Sequence, residues 1–158
     1  MSGEILSMEE VAQKRAFYRA QKKRVVVTNG CFDLLHVGHL RYLTEAKQFG
    51  DILWIGLNSD LSVKELKGPT RPVNSERDRA EILAALRVVD VVTVFEGIRA
   101  TDFLRVVQPD IYVKGGDYTI ETLDSGEREA LLAAHAEIQI LQLVPGKSTT
   151  STLEKIRQ

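Results

Sequence analysis

The sequence predicts an α/β fold: an open parallel sheet of five strands in the order 3-2-1-4-5, with helices on both faces. Short apolar segments with the length of buried strands alternate along the chain with helical patterns. Such alternation builds parallel βαβ units, because a parallel connection needs a crossover long enough to hold a helix. The polar motifs that follow the first, second and fourth strands indicate one switch point at the carboxyl edge of the sheet.

The elements follow one another without an internal repeat or an interdomain linker. An amphipathic helix at residues 8–23 opens the chain, with Val11, Phe17 and Ala20 facing inward. We divide the chain into this N-terminal segment, residues 1–24, and a single domain, residues 25–158. The predicted strands are residues 25–28, 52–57, 88–95, 110–113 and 138–143. The predicted helices are residues 40–49, 75–86, 101–107, 125–136 and 152–157.

Two histidines indicate a phosphate-binding site. His36 and His39 lie where the first strand leads into a helix, and their spacing places them on one face of its first turn. Gly38 between them permits a ligand to approach the backbone closely. The free N–H groups of a helix N-terminus favour phosphate, and histidine side chains donate hydrogen bonds to it. This arrangement is typical of a site for a nucleoside triphosphate (NTP).

Composition argues against several other classes of protein. The 158 residues carry a net charge of −1 and no basic tail, so no nucleic-acid partner is indicated. No apolar run approaches the length of a membrane span, and the first residues lack the regions of a signal peptide. The single cysteine, Cys31, excludes an intrachain disulfide and is typical of a reducing compartment. We therefore expect a cytoplasmic protein without a membrane partner.

An ordered set of motifs resembles the cytidylyltransferase-like nucleotidyltransferases. The first is T-x-G-x-F-D-x-x-H-x-G-H at residues 28–39, and the others lie at residues 58–60, 62–68, 71–74, 113–118 and 146–150. Together they are most similar to the adenylyltransferase domain of bacterial ADP-heptose synthesis. The resemblance implies a Rossmann-like sheet and the transfer of AMP from ATP to a sugar phosphate, with release of pyrophosphate. The sugar phosphate that the resemblance favours is heptose 1-phosphate.

The resemblance also implies roles for individual residues. Catalytic roles fall to His36, His39, Lys64 and Lys114. The residues implied in nucleotide binding are Thr28, Asn29, Gly30, Cys31, Phe32, Asp33, Gly38, Asn58, Asp60, Ser148, Thr149, Thr150 and Ser151. The residues implied in acceptor binding are Lys67, Arg71, Gly115, Gly116 and Asp117. Arg79 is expected to anchor its own helix or a contact between subunits rather than to touch substrate.

A metal ion is expected to accompany the nucleotide rather than to occupy a site built from protein alone. Mg²⁺ prefers few protein ligands beside phosphates and water, and Asp33 is the best candidate among the side chains. An alternative interpretation is a zinc site formed by Cys31, His36 and His39, although no second cysteine or histidine cluster completes it.

Two other functions stay open at this stage. The same chemistry would serve a cytidylyltransferase acting on glycerol 3-phosphate or a related alcohol phosphate, because the base pocket cannot be read from the sequence. From a different class, a catalytically silent nucleotide-binding module would carry the same motifs. Apolar faces on the first helix and on residues 79–86 further predict a homodimer.

Overall fold

A computed structural model of the chain describes residues 2–116, 118–142 and 149–157. The strands are β1 (Glu4–Ile5), β2 (Val25–Gly30), β3 (Ile52–Asn58), β4 (Val91–Phe95), β5 (Ile111–Gly115) and β6 (Glu137–Leu141). The helices are α1 (Met8–Ala20), α2 (Val37–Lys47), α3 (Asp60–Lys67), α4 (Glu76–Ala85), α5 (Thr101–Val107), α6 (Ser125–Ala133) and α7 (Thr149–Arg157). A 3-10 turn at Ile120–Thr122 precedes α6.

The strands form one parallel sheet in the order β1-β4-β3-β2-β5-β6. The predicted order of the five longer strands is confirmed, because β2 to β6 occupy the places expected of strands one to five. The number of strands is corrected from five to six. The additional strand β1 pairs Glu4 with Val91 and Ile5 with Val92 at the sheet edge. Two residues are too few to show the alternation by which a strand is recognised in a sequence.

The sheet brings the sequence motifs to one edge. β2 pairs with β3 from Val25 opposite Ile52 to Gly30 opposite Leu57, and it pairs with β5 on its other side. Because all strands run parallel, the carboxyl ends of β2, β3 and β5 lie side by side. The loops that follow these strands carry the predicted functional residues, as expected at the switch point of an open α/β sheet.

Two apolar layers cover the faces of the sheet. Along β2, Val26 belongs to one layer, whereas Val25 and Val27 belong to the other, as the alternation of a strand requires. Helices α2 and α4 cover the first layer, and their buried side chains include Tyr42, Leu43, Ala80 and Leu83. Helices α1, α5 and α6 cover the second layer, and their buried side chains include Val11, Tyr18, Phe103, Leu104 and Leu131.

The inward face of α1 differs from the prediction. Val11 and Tyr18 are buried, but Phe17 is 50% exposed and Ala20 is also exposed. Val11 and Tyr18 lie seven residues apart and so share a face, whereas Phe17 lies about 100° around the helix from Tyr18. Arg15 on the same helix is buried and donates a hydrogen bond from Nε to the Val107 carbonyl at 2.8 Å. The apolar face packs α1 on the sheet, and this bond fastens it to the end of α5.

The helix bounds bring two further corrections. The segment that carries Lys64 and Lys67 is a complete helix, α3, capped by the Ser59 hydroxyl, which accepts a hydrogen bond from the Ser62 N–H. Helix α7 begins at Thr149, three residues before the predicted start at residue 152, so residues 149–151 lie within the helix. Within the described ranges, no helix combines the length and the apolar character that crossing a bilayer requires.

Candidate active site

A cavity of about 470 Å³ opens where β2, β3 and β5 end. Thirteen of the residues expected to bind substrates or to act in catalysis line it, and they come from five separate motifs. They are Asn29, Gly30, Cys31, Phe32, Asp33, His36, Gly38, His39, Asn58, Lys67, Arg71, Lys114 and Gly115. The fold therefore brings together residues that lie far apart in the sequence.

Some of the expected residues lie elsewhere. Lys64 and Asp60 line a neighbouring cleft of about 410 Å³, which shares Arg71 with the main cavity. Thr28 and Gly116 do not line the main cavity. Asp117 and Ser148 lie outside the described residues. Thr149, Thr150 and Ser151 belong to α7, but their side chains are outside the description.

His36 and His39 form a stacked pair at the start of α2. Their ring centroids are 3.9 Å apart and the ring planes differ by 25°. His36 is the N-cap residue, and its Nδ1 accepts a hydrogen bond from the Gly38 N–H at 3.1 Å. The Nδ1 of His39 accepts one from the His36 N–H at 3.4 Å. Because an accepting ring nitrogen carries no hydrogen, each neutral imidazole bears its hydrogen on Nε2 and is a donor there.

The environment of His39 keeps its ring neutral. Burial, and secondly the neighbouring His36, lower the pKa of His39 from 6.5 to about 4. The Phe32 ring lies 5.3 Å from the His39 ring, measured between centroids, and adds to its desolvation. At neutral pH His39 is therefore an uncharged Nε2–H donor in the free protein. Binding of a polyanion would strengthen the hydrogen bond that this group donates.

Buried hydroxyl groups support the floor of the cavity. The Tyr42 hydroxyl donates to the Val113 carbonyl at 3.0 Å, so the Thr28 hydroxyl, 2.7 Å away, donates to Tyr42. The Tyr112 hydroxyl donates to the side-chain oxygen of Asn29. Thr28 is 1% exposed, which makes it a support for α2 and β5 rather than a residue in contact with a ligand.

Asp33 anchors the segment that carries Arg71. Its carboxylate accepts hydrogen bonds from the Val73 and Asn74 N–H groups, and Arg71 donates to it from Nε at 2.8 Å. Burial raises the pKa of Asp33, but these hydrogen bonds and the Arg71 charge outweigh it, so the pKa is lowered overall. Both carboxylate oxygens are occupied by protein donors, which leaves Asp33 poorly placed as the metal ligand expected of it.

Arg79 ties the ends of β2 and β3 together. Its Nη1 donates to the Cys31 and Asn58 carbonyls, each at 2.8 Å, and its Nε donates to the Asn74 carbonyl at 3.0 Å. Its Nη2 pairs with Asp60 at 2.8 Å. The Arg79 side chain is 0% exposed, so it acts as an internal anchor of the cavity walls, as one of its two sequence interpretations holds.

Cationic side chains surround the cavity from three sides. Lys67 reaches it from the end of α3, Arg71 from the following loop and Lys114 from the end of β5. The ammonium group of Lys114 lies 4.7 Å from the centre of the Tyr118 ring, which holds it by a cation–π interaction. Beyond Lys114 the backbone turns through Gly116, whose φ of 108° is open to glycine at little cost.

Lys64 and Lys67 do not reach the same cavity, although the resemblance implies a role at the active site for both. Residues three apart on a helix are rotated by about 60° relative to one another. On α3 this rotation directs Lys67 to the main cavity and Lys64 to the neighbouring cleft.

A zinc site has no support in the described part of the chain. No three His, Cys, Asp or Glu side chains there are grouped as metal ligands. Burial raises the pKa of the Cys31 thiol, although Lys67, Arg79 and Arg71 oppose the shift. A thiol with a raised pKa is a poor nucleophile and a poor metal ligand at neutral pH.

Several lining residues were missed by the sequence analysis. They are Tyr42, Leu66, Ile98, Arg99, Tyr118 and Glu127. Glu127 is 4% exposed, and its Oε2 accepts a hydrogen bond from the Ala100 N–H at 3.1 Å. In the sequence Glu127 stands in an ordinary charged helical segment, where nothing separates it from the exposed glutamates around it.

Comparison with known proteins agrees with this geometry. Residues 27–155 match the family described as Cytidylyltransferase-like. The chain belongs to this family. It is thus a nucleotidyltransferase, and such enzymes use a divalent metal ion together with their NTP.

Curated relatives of this nucleotidyltransferase carry the name "Bifunctional protein HldE". The one from Sulfurimonas denitrificans is 47% identical over 97% of this chain and 31% of the relative. The one from Syntrophotalea carbinolica is 49% identical over 87% of this chain and 28% of the relative. The chain thus spans about a third of the length of these relatives.

A solved structure shares the fold of this nucleotidyltransferase. It is the lipopolysaccharide core biosynthesis protein of Thermoplasma volcanium, with a TM-score of 0.62 and 26% sequence identity. The match covers 77% of this chain and 97% of the other.

Proposed function

We propose that this nucleotidyltransferase transfers AMP from ATP to heptose 1-phosphate and produces ADP-heptose and pyrophosphate. The similarity to the HldE proteins and the ordered motifs support the choice of nucleotide and acceptor. The cavity, at about 470 Å³, lies in the size range of small-molecule sites and has groups suited to phosphate on several sides.

The proposed reaction is a displacement at phosphorus. An oxygen of the acceptor phosphate attacks the α-phosphorus of ATP and forms the new P–O bond. The bond from the α-phosphorus to the bridging oxygen breaks, and pyrophosphate leaves with that electron pair. The acceptor is already anionic, so the enzyme contributes position and charge stabilisation rather than a nucleophile of its own.

The observation that carries the proposal is the fixed tautomer of the histidine pair. The backbone N–H groups of Gly38 and His36 occupy both Nδ1 atoms, so His36 and His39 are donors through Nε2. Donors that are oriented before the reaction cost no reorganisation as negative charge develops on the leaving pyrophosphate. We assign both histidines to the triphosphate.

The cationic residues are assigned by their positions. Lys114 at the end of β5 and Arg71 in the loop after α3 both line the cavity, and we assign them to neutralising the phosphates of ATP and acceptor. Lys67 contacts the acceptor from the end of α3. Lys64 lies in the neighbouring cleft beside Arg71, and we assign it a weaker, supporting part in attracting anions.

We further propose that the divalent ion is Mg²⁺, held mainly by the triphosphate. The described residues form no cluster of three ligands, and protein donors occupy the Asp33 carboxylate, which suits an ion that arrives with the nucleotide. When bound, such an ion neutralises charge on the phosphates. Chelation of all divalent ions should abolish pyrophosphate release, and added Mg²⁺ should restore it. Undiminished turnover in excess chelator would contradict the assignment.

The deciding experiment measures pyrophosphate release from ATP, CTP, GTP and UTP, each with a panel of phosphorylated acceptors. We expect the highest kcat/KM with ATP and heptose 1-phosphate. Preference for CTP with glycerol 3-phosphate would establish the cytidylyltransferase alternative instead. Release from none of the pairs, in a protein that melts cooperatively, would favour a silent nucleotide-binding module.

The assembly proposed for this enzyme is a cytoplasmic homodimer. Phe17 on α1 and Ile82 on α4 are 50% and 46% exposed. Apolar surface thus remains on the two helices whose apolar faces predicted a dimer. Light scattering at micromolar concentration should give twice the mass of the chain, which is 17.7 kDa. A monomeric mass throughout that range would argue against the dimer.

A further inference from the structure

Glu127 is a buried carboxylate in the wall of the active-site cavity, opposite the histidines. His36 and His39 stand at the start of α2, which covers one face of the sheet, whereas Glu127 stands in the first turn of α6, which covers the other. Both ends line the same cavity. A substrate whose phosphates lie on the histidines therefore has Glu127 in the same cavity, within the space open to its remaining groups.

The surroundings of Glu127 differ from those of the other carboxylate in the wall. Asp33 is neutralised by Arg71 and by two backbone N–H groups. Among the described residues, Glu127 accepts one hydrogen bond, from Ala100 to Oε2, and no ion pair reaches it. Arg99, an arginine that also lines the cavity, pairs with Asp124 instead of with Glu127. A carboxyl group has acceptor sites beyond the one that Ala100 uses, and these are open to a ligand in the cavity.

The position of Glu127 in its helix sharpens this contrast. Glu127 is the third residue of α6, and its own N–H donates to the capping carboxylate of Asp124 at 3.1 Å. A glutamate at this position commonly folds back onto the N–H of the capping residue. Here the side chain turns away from its own helix, toward Ala100 and the cavity.

The chemistry of the cavity limits what Glu127 can meet. Phosphate would be repelled by a carboxylate, whereas the histidines and the lysines across the cavity attract it. A neutral group that donates hydrogen bonds suits an anionic oxygen, and sugar hydroxyls are such groups. We propose that Glu127 is a specificity-determining residue that accepts a hydrogen bond from a sugar hydroxyl of a bound substrate, either the ribose of ATP or the acceptor sugar.

This inference deepens the proposed function and rests on it. Glu127→Gln keeps an oxygen for the Ala100 N–H but removes the charge. We expect it to raise the KM of one substrate by about 10- to 100-fold, because one charge-assisted hydrogen bond is lost. The KM of the other substrate should stay within about twofold. Glu129→Gln, at an exposed position of the same helix, is the matched control and should change neither KM.

Substrate analogues identify the hydroxyl. The parent enzyme should bind 2′-deoxy- or 3′-deoxy-ATP, or a deoxy analogue of heptose 1-phosphate, as weakly as Glu127→Gln binds the intact substrate. The two losses should not add, because both remove the same hydrogen bond. If the deoxy-ATP analogue shows this loss, the hydroxyl that donates to Glu127 belongs to the ribose. If the deoxy analogue of the acceptor shows it, the hydroxyl belongs to the acceptor sugar.

Three results would overturn the proposal. KM values within twofold of the parent for both substrates, in Glu127→Gln and in Glu127→Ala, would show that Glu127 only supports Ala100. A loss confined to ATP that no deoxy analogue reproduces would point to the base. A loss that Glu129→Gln matches would show a nonspecific effect. If the parent enzyme turns over no pair of substrates, the proposed function fails, while calorimetric Kd values of ATP and heptose 1-phosphate for parent and variant still test the role of Glu127.

Discussion

Replacing His39 with alanine should lower kcat by about 10²–10³-fold, because an oriented donor to developing charge contributes that much in comparable sites. The KM of the acceptor should change far less, since the proposed mechanism assigns the histidine to the leaving pyrophosphate. The fold should survive, because the hydrogen bond that His39 makes within the described residues is a weak one, accepted by its Nδ1 from the His36 N–H at 3.4 Å. Steady-state kinetics and a thermal melt on the same preparation are the measurements.

The third histidine of the chain supplies the control for His39→Ala. His135 is exposed and has a φ of 56°, a conformation that asparagine tolerates, so His135→Asn should leave both kcat and the melting temperature unchanged. A kcat for His39→Ala within a few-fold of the parent would make the histidine structural and would end the proposed mechanism. If His39→Ala does not melt cooperatively, His39→Asn and His39→Gln repeat the test with less change in volume.

The sequence predicted the core of the fold and the composition of its cavity for a simple physical reason. The run Val25–Val27 in β2 is apolar at successive positions because both faces of the sheet are covered, and this run is visible in the sequence without knowledge of the packing. Parallel pairing then forces the loops after β2, β3 and β5 to one edge. A motif in each loop was sufficient to predict that His39 and Lys114 line one cavity.

The features missed by the sequence analysis depend on tertiary partners. Glu127 and Asp33 are both acidic residues that line the cavity, yet Glu127 has a single N–H partner whereas Asp33 is enclosed by donors from residues 71–74, which removes it as the expected metal ligand. Nothing local distinguishes these environments. The edge strand Glu4–Ile5 is likewise defined only by its pairing with β4. Periodicity reports burial of a face, whereas the partner of a buried charge is a property of the assembled fold.

Replacing Arg79 with methionine should destabilise the protein by about 3–5 kcal/mol, because removing one member of a buried charged network leaves its partners without compensation. The Cys31, Asn58 and Asn74 carbonyls would each lose a donor, and Asp60 would lose its cation. For a domain of this size the melting temperature should fall by roughly 10 °C. Urea unfolding and a thermal melt measure both quantities.

Two further variants make the Arg79 result specific. Arg77→Met, an exposed position on the same helix, removes an arginine of equal size and should leave stability within about 0.5 kcal/mol of the parent. Arg79→Lys keeps the charge but not the planar fork that serves four acceptors, so its stability should lie between Arg79→Met and the parent. Because the same side chain joins the ends of β2 and β3, the lysine variant should also lose affinity for ATP at temperatures where it is fully folded. A melting temperature for Arg79→Met within 2 °C of the parent would show that the carbonyls find other donors and that the cavity walls do not depend on Arg79.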